Sequence, residues 1–148
     1  MKRLVILITI LLITSFVFSV RKTDWEKHGL KGKVKECTRI EYEITEKAGE
    51  LIKRIVTWYI YKYDNKGNAI ENIEYNSKGK LSWKYLYKYD NNGKMIEFTL
   101  CDAQGKLEIK EMYKYDNKGN KIEEARFNYK EGIKDKLICK YDNRDNVI

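Results

Sequence analysis

The stretch Tyr61-Lys-Tyr-Asp-Asn-Lys-Gly-Asn-Ala-Ile70 decides the fold of this 148-residue chain. Its pattern returns from Tyr87 to Ile96 and from Tyr113 to Ile122, and in a weaker form from Cys139 to Ile148. The copies begin at positions 61, 87, 113 and 139, so the interval between them is constant. A constant period of this length predicts a repeat architecture, in which one supersecondary unit is copied and laid against its neighbours.

Each copy contains a turn that begins with aspartate and ends with glycine three positions later. The aspartate carboxylate accepts hydrogen bonds from the backbone of its own turn, and glycine tolerates the positive φ of a type I turn closed by a bulge. A similar turn recurs midway between copies, at 76–79 and 102–105. The turn-forming residues predicted in the copies are Asp64, Gly67, Asp90, Gly93, Asp116 and Gly119.

Between the turns, residues alternate with a period of two, which indicates β-strands. In the segment 80–89, the aromatic residues share one side and the lysines share the other with Leu86. Tyrosine and β-branched residues suit such a half-buried pleated surface. The side predicted to be better packed carries Leu81, Trp83, Tyr85, Tyr87 and Tyr89.

The predicted fold class is all-β, an antiparallel β-meander of tandem 26-residue hairpin repeats forming an elongated, twisted or partly rolled sheet. A β-solenoid-like stack is the alternative. We expect a signal peptide at 1–19, an N-terminal leader at 20–32 that caps the sheet or hangs free, and a repeat domain at 33–148. The nine predicted strands are 33–45, 50–63, 68–76, 80–89, 94–101, 106–115, 120–128, 133–141 and a stub from 146.

The beginning of the chain has the pattern of a Sec-type signal peptide. Met1-Lys2-Arg3 precedes an uncharged apolar run from Leu4 to Val20, with small residues near its end. We expect cleavage after Ser19, and an uncleaved membrane anchor is the alternative. The protein is therefore predicted to be exported, as a periplasmic, cell-surface or secreted protein.

The chain is basic, with 30 lysines and arginines against 22 acidic residues and a formal charge of +8. Loss of Lys2 and Arg3 with the signal peptide removes two of those charges. A mildly basic surface favours anionic partners such as acidic glycans or phospholipid head groups. Solubility alone is the other explanation, and nucleic acid is a less favoured partner because no block of like charges occurs.

The three cysteines, Cys37, Cys101 and Cys139, leave at least one thiol unpaired. Cys101 and Cys139 occupy positions that hold aromatic residues in the other copies. Both positions suit a small apolar side chain, and a Cys101–Cys139 disulfide is the alternative. No metal-ligand spacing is present.

The repeated phrase Tyr-x-Tyr-Asp-Asn-x-Gly resembles the YD repeat of Rhs-type and teneurin-type surface proteins. The residues that match are Tyr61, Tyr63, Asp64 and Gly67 and their counterparts in the next two copies, whereas Cys139 and Asp145 depart from the pattern in the last copy. The resemblance covers about 61–148 and implies a secreted or cell-surface β-repeat structure. The shell that large family members form around a toxic cargo is not expected here, because the chain has too few repeats to enclose anything and no toxin region.

Catalytic chemistry is not indicated by the sequence. His28 is the single histidine and lies before the first strand, without a second feature that would make it part of a nucleophilic triad. Every glycine is used in a turn or in the leader, so no phosphate-binding loop is predicted. Each aspartate turn offers one carboxylate, which favours turn formation over calcium binding. We therefore expect no cofactor and no enzymatic activity, with a hydrolase as the unlikely alternative.

The remaining functional prediction is a binding or structural module at the bacterial cell envelope. Aromatic rings with adjacent cations can stack on sugars or bases, although the rings can equally form only a packed face. An exposed sheet edge near Ile148 could instead recruit a protein partner by strand addition. The candidate ligand-binding residues are Tyr61, Tyr63, Trp83, Tyr85, Tyr87, Tyr89, Tyr113 and Tyr115.

Overall fold

The computed structural model describes residues 23–142, 144 and 146–148. The predicted signal peptide at 1–19 and the first part of the leader lie outside this range. Within it, no helix has the length and apolar character needed to cross a membrane. The elements are α1 (Asp24–Lys27), β1 (Glu36–Lys47), β2 (Glu50–Tyr63), β3 (Ala69–Asn76), β4 (Leu81–Tyr89), β5 (Met95–Asp102), β6 (Leu107–Tyr115), β7 (Lys121–Asn128) and β8 (Ile133–Ile138).

The eight strands form one sheet in the order β1-β2-β3-β4-β5-β6-β7-β8, and each strand is antiparallel to the next. The predicted all-β meander is therefore confirmed. Among the described residues β1 and β8 do not pair, so the sheet is open. The prediction of a ninth strand was wrong: Val147 makes a single bridge with Tyr141, because the segment 146–148 is too short to form a ladder.

The aspartate turns set the register of the strands that they join. In the first, Asp64 Oδ1 accepts hydrogen bonds from the backbone N–H of Lys66 at 2.8 Å and of Asn68 at 2.9 Å. Burial raises the pKa of Asp64, but hydrogen bonds from the side chain and backbone of Asn68 outweigh it and lower the pKa. Gly67 closes the turn with a φ of +85°. Equivalent bonds to the first residue occur in the turns that begin at Asn76, Asp90, Asp102, Asp116 and Asp142.

Bulges next to the turns interrupt the simple alternation of faces. One lies between Glu74 and Tyr75 in the pairing of β3 with β4, and it places Leu81 opposite Tyr75. Tyr75 itself pairs with Trp58, on the side of the sheet away from the tyrosines. The prediction that Leu81 shares a face with Trp83 was therefore wrong, because one inserted residue reverses the alternation. The bulge that pairs Leu107 with Cys101 repeats this in the next copy.

The sheet is a single layer with very little interior. The buried apolar residues among those described are Tyr63, Ala69 and Ala125, and most strand residues on both faces are half-buried. In such a layer, side-chain pairs on neighbouring strands supply much of the stabilisation, at about 0.2–1 kcal/mol per pair.

The tyrosine that precedes the turn aspartate connects each copy to the copy before it through a hydrogen bond. Its hydroxyl donates a hydrogen bond to a backbone carbonyl at the start of the return strand in the preceding hairpin. This bond recurs at 2.8, 2.8 and 2.9 Å. The three pairs are Tyr89 with Ala69, Tyr115 with Met95, and Tyr141 with Lys121.

Removal of one such hydroxyl tests its contribution to folding. We expect Tyr89→Phe to lower the free energy of unfolding by about 1 kcal/mol, the typical net value of one hydrogen bond. Tyr87→Phe is the matched control, because the Tyr87 hydroxyl makes no hydrogen bond within the described residues. Urea unfolding of both variants measures the difference. Equal stabilities would contradict a role for the Tyr89 hydroxyl in joining the copies.

Candidate ligand-binding faces

The register divides the strands into two chemically different faces. The face that we call the tyrosine face is defined by cross-strand partners such as Tyr61 with Asn72 and Tyr87 with Phe98. The opposite face, the lysine face, is defined by partners such as Lys62 with Glu71. The further members of the tyrosine face are Tyr59, Glu74, Trp83, Tyr85, Leu100, Glu111, Tyr113, Glu124 and Arg126. The further members of the lysine face are Ile60, Ile73, Lys84, Leu86, Lys88, Glu97, Thr99, Lys110, Met112, Lys114, Glu123, Ala125, Lys136 and Ile138.

Charge is segregated between the two faces. Carboxylates outnumber cations on the tyrosine face, where Glu74, Glu111 and Glu124 lie among the rings, and lysines outnumber carboxylates on the lysine face. The lysines that follow the tyrosines in sequence point away from the rings, because successive strand residues face opposite sides. Other cations do lie over rings of this face: Lys94 Nζ is 5.0 Å from the Tyr115 ring centre, Lys121 Nζ is 5.5 Å from that of Tyr113, and Arg39 Cζ is 6.0 Å from that of Tyr59.

An aromatic cluster occupies the middle of the tyrosine face. The rings of Tyr59 and Tyr61 stack with centroids 6.1 Å apart. Across the next strands, the Phe98 ring lies 5.6 Å from Tyr87 and 6.4 Å from Tyr85. These residues are half-buried, so part of each side chain remains in contact with solvent. Together they form a platform that spans β2 to β5.

The hydroxyls on the platform stay protonated at neutral pH. Burial, a hydrogen bond donated to Glu74 at 3.0 Å and the charge of that glutamate raise the pKa of Tyr85 to about 12. Burial, followed by the neighbouring Tyr61 and Asp24, raises the pKa of Tyr87 to about 12. The rings therefore present neutral hydroxyls beside carboxylates, which suits a ligand rich in hydrogen-bond donors.

Asn72 forms the floor of the platform, where it pairs across strands with Tyr61 on one side and Tyr85 on the other. Its Oδ1 atom is buried and accepts no hydrogen bond from the described residues. A buried acceptor without a donor costs about 1–3 kcal/mol, and such groups are rare in folded proteins.

The leader covers one end of the platform. Thr23 caps helix α1, and the backbone N–H of Asp24 donates to the carbonyl of Gly67 at 3.0 Å. The Trp25 ring lies directly on the Gly67 turn, and its Nε1–H donates to the carbonyl of Val34 at 2.5 Å. The described part of the leader therefore packs against the first repeat.

A cleft of about 290 Å³ lies between the leader and the platform. The His28 ring packs 4.8 Å from the Tyr61 ring, and His28 Nδ1 is 2.6 Å from the Tyr63 hydroxyl, which also lies 3.3 Å from Cys37 Sγ. Asp24 Oδ2 accepts a hydrogen bond from the backbone N–H of Ala69 at 2.9 Å. The cleft is lined by Asp24, Lys27, His28, Tyr61, Tyr87 and Tyr89, among others.

The structure separates the predicted ligand-binding residues into two groups. The rings of Tyr61, Tyr85 and Tyr87 meet in the platform, and Trp83 continues it along β4. The others lie outside the platform, with their hydroxyls bonded elsewhere in the protein: Tyr63 with His28 and Cys37, Tyr89 and Tyr115 with carbonyls, and Tyr113 with Glu111.

Sequence reasoning missed Asn72 and Phe98, which hold the same position in consecutive repeats. Glu124 holds that position in the third repeat. The three residues differ in character, whereas the tyrosines, lysines and turn residues around them recur. This variation within an otherwise regular repeat was the one signal in the sequence that could have singled out this position, because it indicates that the fold does not require a particular residue there.

Ion triplets organise the lysine face. Glu71 lies between two lysines, with one carboxylate oxygen 2.6 Å from Lys62 Nζ and the other 2.6 Å from Lys84 Nζ. Burial raises the pKa of Glu71, but hydrogen bonds from the two lysines outweigh it and hold the pKa below its ordinary value. The same arrangement recurs in the next two repeats, at 2.8–3.2 Å, in Lys88–Glu97–Lys110 and Lys114–Glu123–Lys136.

The cysteines are free thiols. Cys101 lies on β5 and Cys139 follows β8, so β6 and β7 separate them by well over the reach of a disulfide at about 4.8 Å per strand. The Cys101–Cys139 bridge is thus ruled out by the strand order. Within residues 23–142, 144 and 146–148, no group of three or more histidine, cysteine or acidic side chains is arranged to hold a metal ion.

No protein-family model matches the chain, and no curated protein matches it. Among solved structures, it is similar to the crystal structure of a DUF3836 family protein from Parabacteroides distasonis ATCC 8503, at 17% identity and a TM-score of 0.31. The alignment covers 69% of this chain and 90% of that one. A TM-score of this size carries no argument about function, and the resemblance to YD repeats stays a prediction.

Proposed function

We propose that this protein is an exported, non-enzymatic binding module of the bacterial cell envelope that holds an uncharged glycan on its tyrosine face. The observation that carries the proposal is an open platform of half-buried aromatic rings on β2 to β5 with carboxylates beside it. Export is supported by the signal-peptide pattern of the segment that ends at Ser19.

The chemistry of the platform favours a neutral sugar polymer. Aromatic rings offer apolar faces against which the C–H groups of a sugar ring can pack, and the hydroxyls of the sugar need acceptors. Asp24 lines the cleft beside the rings and Glu74 accepts a hydrogen bond from Tyr85, and the carboxylate oxygens of both can accept further hydrogen bonds from those hydroxyls. The same carboxylates repel an acidic ligand, so a charged glycan does not suit this face.

Retention on chemically defined neutral polysaccharides (dextran, amylose and cellulose) tests the proposal with the full chain. We expect at least one of them to retain the protein and Tyr87→Ala to weaken that retention at least tenfold. Tyr75→Ala is the matched control, because it removes an equal ring from the lysine face, where Tyr75 stacks on Trp58. No retention by any neutral polysaccharide, or equal losses in the two variants, would contradict the proposal.

A further inference from the structure

The lysine face is a second surface, and its charge is opposite to that of the face just described. In each triplet one glutamate is shared by two lysines, which leaves one positive charge uncompensated. We propose that the lysine face binds a linear acidic polysaccharide, which lies across the strands and pairs its carboxylates with the positive charge that the glutamates leave uncompensated.

The spacing of the triplets supports a linear polymer. The lysines that begin them, Lys62, Lys88 and Lys114, lie on β2, β4 and β6, and therefore on every second strand. Strands are about 4.8 Å apart, so equivalent lysines recur about every 9.6 Å in a line across the sheet. In polygalacturonate, an acidic polysaccharide with a carboxylate on every sugar, every second carboxylate recurs on a similar scale and can meet one lysine of the line.

The lysines that begin the triplets are accessible to such a ligand. The side chains of Lys88 and Lys114 are 68% and 65% exposed, whereas their glutamate partners are only 20% and 23% exposed. Each glutamate can stay paired with the second lysine of its triplet while the more exposed lysine binds a carboxylate of the ligand. An exposed apolar stripe that includes Met112 and Ile138 lies beside the lysines and can contact the C–H faces of the sugars.

Binding of the full chain to polygalacturonate at low ionic strength tests the proposal. Replacement of Lys62, Lys88 and Lys114 by glutamine is expected to weaken binding at least tenfold and to reduce its dependence on salt, because fewer counterions are exchanged. The matched control replaces Lys31, Lys78 and Lys106, three exposed lysines of the leader and turns, by glutamine. This control carries the same net charge and is expected to lose less than twofold.

Further variants and outcomes distinguish this proposal from its alternatives. Glu97→Gln adds one uncompensated charge to the face and is expected to tighten binding. Equal losses in the two triple variants, no binding of polygalacturonate, or tighter binding to phosphatidylglycerol vesicles than to polygalacturonate would overturn the proposal. Tyr87→Ala is expected to bind polygalacturonate normally, so failure of the lysine-face proposal is distinguishable from failure of the tyrosine-face proposal.

Discussion

Gly67→Ala is expected to lower the free energy of unfolding by about 2.5–5 kcal/mol and to release the leader from the sheet. A Cβ atom at Gly67 would lie 2.6 Å from the Trp25 ring, so the ring has to move. The φ of +85° adds the usual left-handed penalty of about 1–2 kcal/mol, and exposure of the tryptophan adds about 1.5–3 kcal/mol.

Gly105→Ala is the matched control for this prediction. Gly105 has a φ of +80° in an equivalent turn, but a Cβ atom there meets nothing within 4 Å. The control is therefore expected to lose only the backbone penalty of about 1–2 kcal/mol. Urea unfolding measures both losses, and the indole N–H resonance of Trp25 reports the release of the leader. Equal losses, with an unchanged Trp25 resonance, would show that the leader does not pack on this turn.

Deletion of residues 87–112 is expected to leave a folded, cooperatively unfolding six-stranded sheet. The deletion removes one whole period and joins Leu86 to Tyr113, which preserves the alternation, the turns and the outer ion triplets. In a repeat protein the stability is approximately a sum over repeats and their interfaces, so the loss is limited to one repeat and one interface.

The smaller deletion of residues 90–102 is expected to be more damaging, although it removes only half as much of the chain. It takes out β5 with Glu97 and sets the lysine-bearing strands β4 and β6 side by side. Like charges on adjacent strands are destabilising, and the acidic partner that separated them is lost. Circular dichroism and urea unfolding of both deletions measure the contrast. A folded protein after the shorter deletion and an unfolded one after the longer would contradict the repeat architecture.

Much of the fold could be predicted from the sequence because the interactions that set it are local. The turn aspartates and glycines act within a single turn, and the constant period fixes how the hairpins follow each other. The bulge beside Leu81 was missed, because one inserted residue leaves no mark on an alternating pattern. The docking of Trp25 on Gly67 was missed as well, since it joins segments that lie far apart in the sequence.

The candidate site was less predictable than the fold. Tyr61 and Tyr63 look alike in the repeated phrase, yet the Tyr61 ring belongs to the platform and the Tyr63 hydroxyl contacts His28 and Cys37. The difference arises from where each residue lies relative to the leader and the neighbouring strand, which the sequence pattern does not encode. The glutamates recurred visibly at 71, 97 and 123, but their place between two lysines follows only from the register.

If both proposals hold, the molecule links two different polysaccharides. A neutral glycan on the tyrosine face and an acidic polysaccharide on the lysine face would be held on opposite sides of one strand-thick layer. Both assignments depend on the sheet being a single open layer, because a sheet that closed on itself or folded over would bury one face.

Cross-strand nuclear Overhauser effects in solution test that single open layer most directly. We predict contacts between sequential strands only, such as Tyr61 with Asn72, Tyr85 with Leu100 and Glu111 with Arg126. Contacts that join β1 to β8, or that bring residues of one face against a distant strand, would show a closed or folded sheet and contradict it.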